Sequence, residues 1–258
     1  MTQAAQHRDA ILDQFTRQAM PFATAPSIRD EAALRLVVEF SGAGPEDTSL
    51  DVACGPGLIV VAFARVVKHA TGIDITPAML DRARAYAKEQ AVSNVTWQQG
   101  DVLPLPYPDA AFSIVTSRFA FHHFLDPAAV LKQMARVCRP GGTVVVADSA
   151  PGPETADAFN RMEIVRDPSH VRALPLAEHL TLFKAAGLPE PRVTHYRLEG
   201  ELESLISRSF PKPGDDATLR RIFADSLAGD TLGIQARRDP DGRIRYGYPV
   251  AVLAARRS

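Results

Sequence analysis

Several features that announce a special environment are scarce in this sequence. It has only two cysteines, Cys54 and Cys138, far apart and outside any metal-type cluster. Two free thiols in a reducing compartment are therefore expected over a disulfide framework. No apolar run approaches the roughly 20 residues of a membrane span. The stretch from Met1 to Met20 carries Gln, His, Arg and Asp throughout, without a signal-peptide core, so a soluble, cytoplasmic protein is expected. Lys and Arg total 29 against 30 for Asp and Glu, a net charge of −1 with no basic run, which argues against a nucleic-acid footprint. Internal repeats, low-complexity tracts and clear linkers are missing too. What is present is apolar material: 46% of 258 residues are hydrophobic and 23% charged, enough for a sizeable core.

Residues 5–19 favour a helix, with Ile11, Leu12, Phe15 and Met20 as a loose apolar stripe, and Pro21 and Pro26 are expected to break the chain around Phe22. Asp30 to Phe40 reads as a second helix with Ala33, Leu34, Val37 and Val38 on one face. Apolar strands over Ser49–Cys54, His69–Ile75, Val95–Gln98, Ala111–Thr116 and Thr143–Ala147 then alternate with helices over Leu58–Val67, Ala78–Gln90 and Asp126–Cys138. Thr76 is read as an N-cap with Pro77 opening the helix, and Pro140-Gly141-Gly142 as a stop. Such alternation predicts parallel βαβ units with helices on both faces of a sheet. Beyond a polar, helix-prone stretch (Pro151–Val171) and a helix over Ala177–Ala186, two late strands are expected at Arg192–Leu198 and Tyr248–Ala255. Helical segments around Ser204–Ser207 and Thr218–Leu227 join them. A single domain over residues 1–258 is expected, with its core at about 45–190 and residues 1–44, 151–175 and 200–245 as cover.

Three elements point to a ligand. The first is Leu50-Asp51-Val52-Ala53-Cys54-Gly55-Pro56-Gly57, an apolar strand ending in a two-glycine turn before a helix. Gly55 and Gly57 permit positive φ and close backbone approach, and Ala53 is small. With Val60 where a dinucleotide fingerprint needs Gly or Ala, the turn by itself is either a ligand loop or a tight strand–helix connection. The second is Asp74, ending the next strand at the spacing at which a carboxylate accepts two ribose hydroxyls. The third is Gly100-Asp101-Val102 after the third strand, on the same rim of the sheet, where a carboxylate accepts from an adenine amino group.

These stretches, with Gly72-Ile-Asp-Ile-Thr76, Ser117-Arg-Phe-Ala-Phe-His-His-Phe124 and Arg139-Pro-Gly-Gly142, together resemble the class I S-adenosylmethionine-dependent methyltransferases, and within them the UbiE/YcgJ-type group. The resemblance spans about residues 45–190. It implies an α/β, Rossmann-like fold: a seven-stranded, mostly parallel sheet with an antiparallel last strand and helices on both faces. It further implies S-adenosylmethionine as cofactor and S-adenosylhomocysteine as product. By that resemblance Asp51, Ala53, Gly55 and Gly57 hold the methionine end, Asp74 the ribose, and Gly100 and Asp101 the adenine. Ile75 and Val102 then sandwich the base beside Met79, Ser117 and Arg118 approach the amino acid moiety, and Phe15 and Gln18 lie in the covering segment. Ala53 stands where the family often has a third glycine, and no motif requires a quinone substrate.

Methyl transfer from a sulfonium asks mainly for in-line approach, with a base only where the acceptor keeps its proton. His122 and His123, after the fourth strand, are the candidate bases; packing or loop orientation is the alternative for each. Arg166, His170 and Arg172 either hold an anionic acceptor, such as a carboxylate or phenolate, or form a solvated helix end. Asp148, ending the fifth strand, either faces the acceptor or caps the next turn. His123 with His170 lacks a third metal ligand, so no metal is expected. The expected function is methyl transfer to O, C or N of a small, partly apolar metabolite by a monomer or homodimer, with no nucleic-acid or membrane partner. A cofactor-binding protein that transfers no methyl, and a nicotinamide-dependent oxidoreductase, are the alternatives; Val60 and the Gly100-Asp101 pair argue against the second.

Overall fold

In the computed structural model, which describes residues 2–258, leaving Met1 of the N-terminal stretch outside, two helices precede the sheet. α1 (Gln3–Thr24) starts on Thr2, whose hydroxyl accepts the Ala5 N–H, and α2 (Glu31–Ser41) on Asp30, whose carboxylate accepts those of Ala32 and Ala33. α1 does not break at Pro21, as expected from sequence, but runs through it to Thr24. In a last turn a proline removes a single backbone hydrogen bond, and packing outweighs that loss. The chain continues as β1 (Thr48–Val52), α3 (Leu58–Ala64), β2 (His69–Asp74), α4 (Pro77–Glu89), β3 (Val95–Gln99), β4 (Phe112–Arg118), α5 (Pro127–Val137), β5 (Cys138–Ser149), α6 (Ala156–Arg166) and α7 (Leu176–Ala185). It closes with β6 (Arg192–Glu201), α8 (Leu202–Ser209), α9 (Asp215–Asp225), β7 (Arg237–Arg238) and β8 (Ile244–Arg256).

The strand order is β3-β2-β1-β4-β5-β8-β6, with the two-residue β7 added on β8. β1 to β5 pair in parallel, and β8 runs antiparallel to both β5 and β6. The expected seven-stranded, mostly parallel sheet with an antiparallel last strand is present, plus the short β7. Two local readings need correction. Arg139-Pro140-Gly141-Gly142 lies inside β5 rather than in a turn before it. Gly141, at φ 74°, and a register shift between Phe112 and Ile114 absorb the extra backbone; a Cβ on Gly142 would stand 2.5 Å from the Ser113 carbonyl oxygen. Thr76 makes no side-chain cap for α4; its own N–H goes instead to Asp74 Oδ1, 2.8 Å away.

Alternation along the strands builds a core on each face of the sheet. Val144 and Val146 of β5, with Ala251, Leu253 and Ala255 of β8, join Leu131, Met134 and Phe183 of α5 and α7 on one side. Val145, Ala147, Val252 and Ala254 face Val37, Val38, Val60 and Phe63 of α2 and α3 on the other. This period of two is what a sheet covered on both faces requires, and each valine, leucine, methionine or phenylalanine among them contributes about 1.5–3 kcal/mol when fully buried. A third cluster, from Phe159 and Met162 of α6 through Leu205 of α8 and Phe223 of α9 to Tyr246 and Tyr248, packs on the leading half of β8. β1 lies between β2 and β4, so the sheet order reverses there, and ligands of open α/β sheets bind outside the carboxyl ends of strands at that point.

Candidate functional site

After β1 the backbone enters the left-handed region at Ala53 (φ 57°), Gly55 (φ 51°) and Gly57 (φ 79°). Ala53 holds that conformation at a cost of about 1–2 kcal/mol, the kind of strain that persists where a loop is shaped for a ligand. Gly57 answers a packing need: a Cβ there would meet Trp97 Cη2 at 2.5 Å and Ala83 Cβ at 2.9 Å. Gly55 donates its N–H to Asp74 Oδ2 at 2.8 Å, so the two motifs fix each other.

The loop forms one wall of a cavity of about 410 Å³, in the range of small-molecule sites. Of the residues singled out from sequence, Asp51, Ala53, Gly55, Asp74, Ile75, Met79, Asp101, Val102, Arg118, Phe15 and His123 line it. Gly57, Gly100 and Ser117 stand behind it: Gly100 donates to the Asp74 carbonyl at 3.1 Å, and the Ser117 hydroxyl donates to the Val52 carbonyl at 2.9 Å. Burial pushes the Asp51 carboxyl up to about 7, against the Thr116 hydroxyl (2.8 Å) and the Arg118 charge. Burial raises Asp74 as well, opposed by the Thr76 and Gly55 N–H groups. Asp101 is exposed and accepts the Leu103 N–H at 3.2 Å. Arg118 lies 4.3 Å from the Phe119 ring centroid and donates through Nη1 to the Ile28 carbonyl at 3.2 Å and through Nε to the Tyr196 hydroxyl at 3.4 Å. Its buried Nη2 has no partner among the described residues.

A smaller cavity of about 70 Å³ adjoins the first. Phe15, Phe22, Ile28, Phe119 and His123 belong to both walls. His122 and Gln18 line the smaller one only. The His122 ring sets Nδ1 2.6 Å from Asp148 Oδ1, while Asp148 Oδ2 takes the Phe121 N–H at 2.7 Å. Burial works against the His122 cation, but the Asp148 carboxylate beside it wins, and its pKa rises. Asp148 is correspondingly held low despite burial. Asp148 itself borders neither cavity; its carboxylate holds the His122 ring from behind and also accepts the His122 and Ser149 N–H groups. His123 behaves oppositely: burial, then the neighbouring His122, push it down to about 4. Its Nδ1 donates to the Ser169 carbonyl at 3.0 Å, Phe15 meets its ring edge-on at 4.9 Å, and His7 Nε2 donates to its carbonyl at 2.7 Å.

Arg166, His170 and Arg172 do not form an anion clamp. Arg166 lines the smaller cavity, but Glu163 holds its Nε and Nη2 at 2.9 and 2.6 Å, and Asp167 lies 3.8 Å from Nη1. Glu163, which also accepts the Tyr248 hydroxyl at 2.7 Å, is pushed down to about 2, burial being outweighed by Arg166. His170 borders neither cavity, bonds Asn160 Oδ1 at 2.7 Å and is pushed down to about 3, chiefly by burial. Arg172 is exposed, forked onto Glu178 and outside both cavities. Glu163, Arg208, Tyr246 and Tyr248 of the smaller wall were not foreseen; they arrive from α6, α8 and β8 with no local motif. Among the described residues no group of three or more His, Cys, Asp or Glu is placed to hold a metal.

The chain matches the methyltransferase domain family over residues 50–146. YcgJ of Bacillus subtilis, an uncharacterized methyltransferase, is 33% identical over 196 residues, covering 75% of this chain and 78% of its own. The 27-O-demethylrifamycin SV methyltransferase of Amycolatopsis mediterranei is 36% identical over 168 residues, 62% of this chain and 61% of its own. The crystal structure of the Bacillus YcgJ protein superposes with a TM-score of 0.78 at 27% identity, covering 88% of this chain and 99% of that one. The strand order, the loop after β1 and these likenesses agree: the chain belongs to the class I S-adenosylmethionine-dependent methyltransferases.

Proposed function

We propose that the larger cavity holds S-adenosylmethionine, that a small, partly apolar metabolite enters the smaller one, and that His122 takes the proton of the accepting atom. The wall chemistry suits this donor. Asp51, Asp74 and Asp101 bring carboxyl groups to the cavity wall, where a cationic ligand would favour their ionised forms, and Arg118 brings a guanidinium to the same wall for a ligand carboxylate. Asp74 would hold the ribose, Asp101 the adenine amino group, Ile75, Val102 and Met79 the base, and the Asp51–Gly55 loop the amino acid end. When bound, the cofactor supplies an electrophilic methyl group on a sulfonium.

The observation that carries the transfer reading is the shared wall with the His122–Asp148 pair beside it. Nδ1–H donated to Asp148 fixes the tautomer and leaves Nε2 with a free lone pair, the arrangement a general base needs. Asp148 then stabilises the imidazolium that results. Phe15, Phe22, Ile28 and Phe119 exclude water from the junction, and positioning of this kind supplies several kcal/mol. The accepting atom is one that sheds a proton: a hydroxyl, an amine or an enolisable carbon. Residues 1–44, 151–175 and 200–245 act as cover, in one domain with the core.

Asp74→Ala is expected to weaken S-adenosylhomocysteine by about 1–3 kcal/mol, through loss of charge-assisted hydrogen bonds to the ribose and of the anchor for Gly55. Titration calorimetry on a variant of unchanged melting temperature measures it. Unaltered affinity, or tighter binding of NADH than of S-adenosylhomocysteine by the parent protein, rejects the assignment.

A further inference from the structure

We propose that the acceptor carries a carboxylate or a like planar oxyanion, and that Arg208 receives it; this rests on the smaller cavity being the acceptor site. Arg208, near the end of α8, is half-buried on the wall of that cavity. Its one hydrogen bond in the structure runs from Nη2 to the Tyr246 hydroxyl at 3.4 Å. No carboxylate among the described residues lies within ion-pair distance of it.

The other charges facing the cavity are committed. Glu163 is forked onto Arg166 and accepts from Tyr248. Asp167 accepts the Ser169 N–H at 2.9 Å, the Ser169 hydroxyl at 2.6 Å and Gln18 Nε2 at 3.4 Å, with Arg166 also 3.8 Å away. Neither acid draws on Arg208. A guanidinium has five N–H donors in a planar fork, and four of them here are free for a planar anion. Tyr246 adds another: its hydroxyl accepts from Arg208 and keeps its own proton to donate. That hydroxyl stands where it does because residue 200 is glycine; a Cβ there would fall 2.4 Å from it. Arg208 and Tyr246 line the same space as His122 and the aromatic wall. An anionic group at Arg208 orients the acceptor and leaves its reacting end to the shared wall.

Two matched pairs, benzoate with benzamide and hexanoate with hexanamide, test this by titration and by melting shift on the full chain, with and without S-adenosylhomocysteine. The carboxylates are expected to bind at least tenfold more tightly than their amides, and the Arg208→Gln variant to show a preference below threefold. The comparison in the parent protein needs no variant and decides the acceptor class even if Arg208→Gln folds poorly. A parent protein that does not prefer acid over amide, whether both bind or neither does, overturns the proposal, as does a full preference retained in Arg208→Gln. Failure of S-adenosylhomocysteine to bind is a separate result and strikes the donor-site assignment instead.

Discussion

Replacing His122 by asparagine is expected to lower the rate of methyl-label transfer at saturating cofactor by 10²–10⁴-fold, about 3–5 kcal/mol of barrier, while S-adenosylhomocysteine affinity stays within twofold. Asparagine keeps a donor toward Asp148, only 2.6 Å from the native ring, but has no lone pair of comparable basicity. The pH profile carries the same information. The His122 pKa lies above its ordinary value because Asp148 outweighs burial, and only the neutral ring is a base. The wild-type rate is therefore full above that pKa and falls as the medium is acidified through it, with the limb above the usual imidazole value of about 6.5. The variant should lack this limb. His123 cannot supply it, because it is pushed down to about 4 and is neutral throughout the range. Full turnover in the variant would show that no base acts at His122.

Arg166→Leu is expected to destabilise the fold by about 3–5 kcal/mol, because it strands Glu163, 3% exposed, without its counter-ion. Changing Glu163 to Leu in the same chain should recover most of the loss. Glu163 is held at about 2 in the native state, with Arg166 overcoming burial. Its contribution is present above its unfolded value of about 4.3 and is lost as pH falls toward 2. The deficit of the variant relative to the parent should accordingly be largest near neutrality and narrow on acidification, as the parent loses the same term. Urea denaturation at pH 7 and pH 3 measures both; a deficit under 0.5 kcal/mol at pH 7, as at an exposed ion pair, would contradict the reading.

The framework was legible because its signals are local. Apolar strands ending at Val52 and Asp74, capped helix starts at Asp30 and Asp126, and the glycine turn each sit within a few residues of the structure they specify. Pro21 misled because its cost depends on where a helix ends, which packing decides. Gly141 and Gly142 read as a stop, yet they serve a bulged strand entry set by the neighbouring β4. The larger cavity follows the rim of the parallel strands, so most of its residues could be named in advance. The smaller one is assembled from α1, the loop after β4, α6, α8 and β8. Its hydrogen bonds join residues as distant as Gln18 and Ser209 or Glu163 and Tyr248, and no spacing in the sequence encodes such pairs. Hence Arg166 looked free when it is bound, and Arg208 carried no signal at all.

The most direct measurement is incubation of the protein with methyl-labelled S-adenosylmethionine and a fractionated metabolite extract, followed by identification of the labelled species. Donor and acceptor cavities that share a wall at Phe15, Phe119 and His123 predict label in a small, partly apolar product with stoichiometric S-adenosylhomocysteine. Tight S-adenosylhomocysteine binding with no label leaving the cofactor, in any fraction, would contradict methyl transfer and point to a protein that binds the cofactor without using its methyl group.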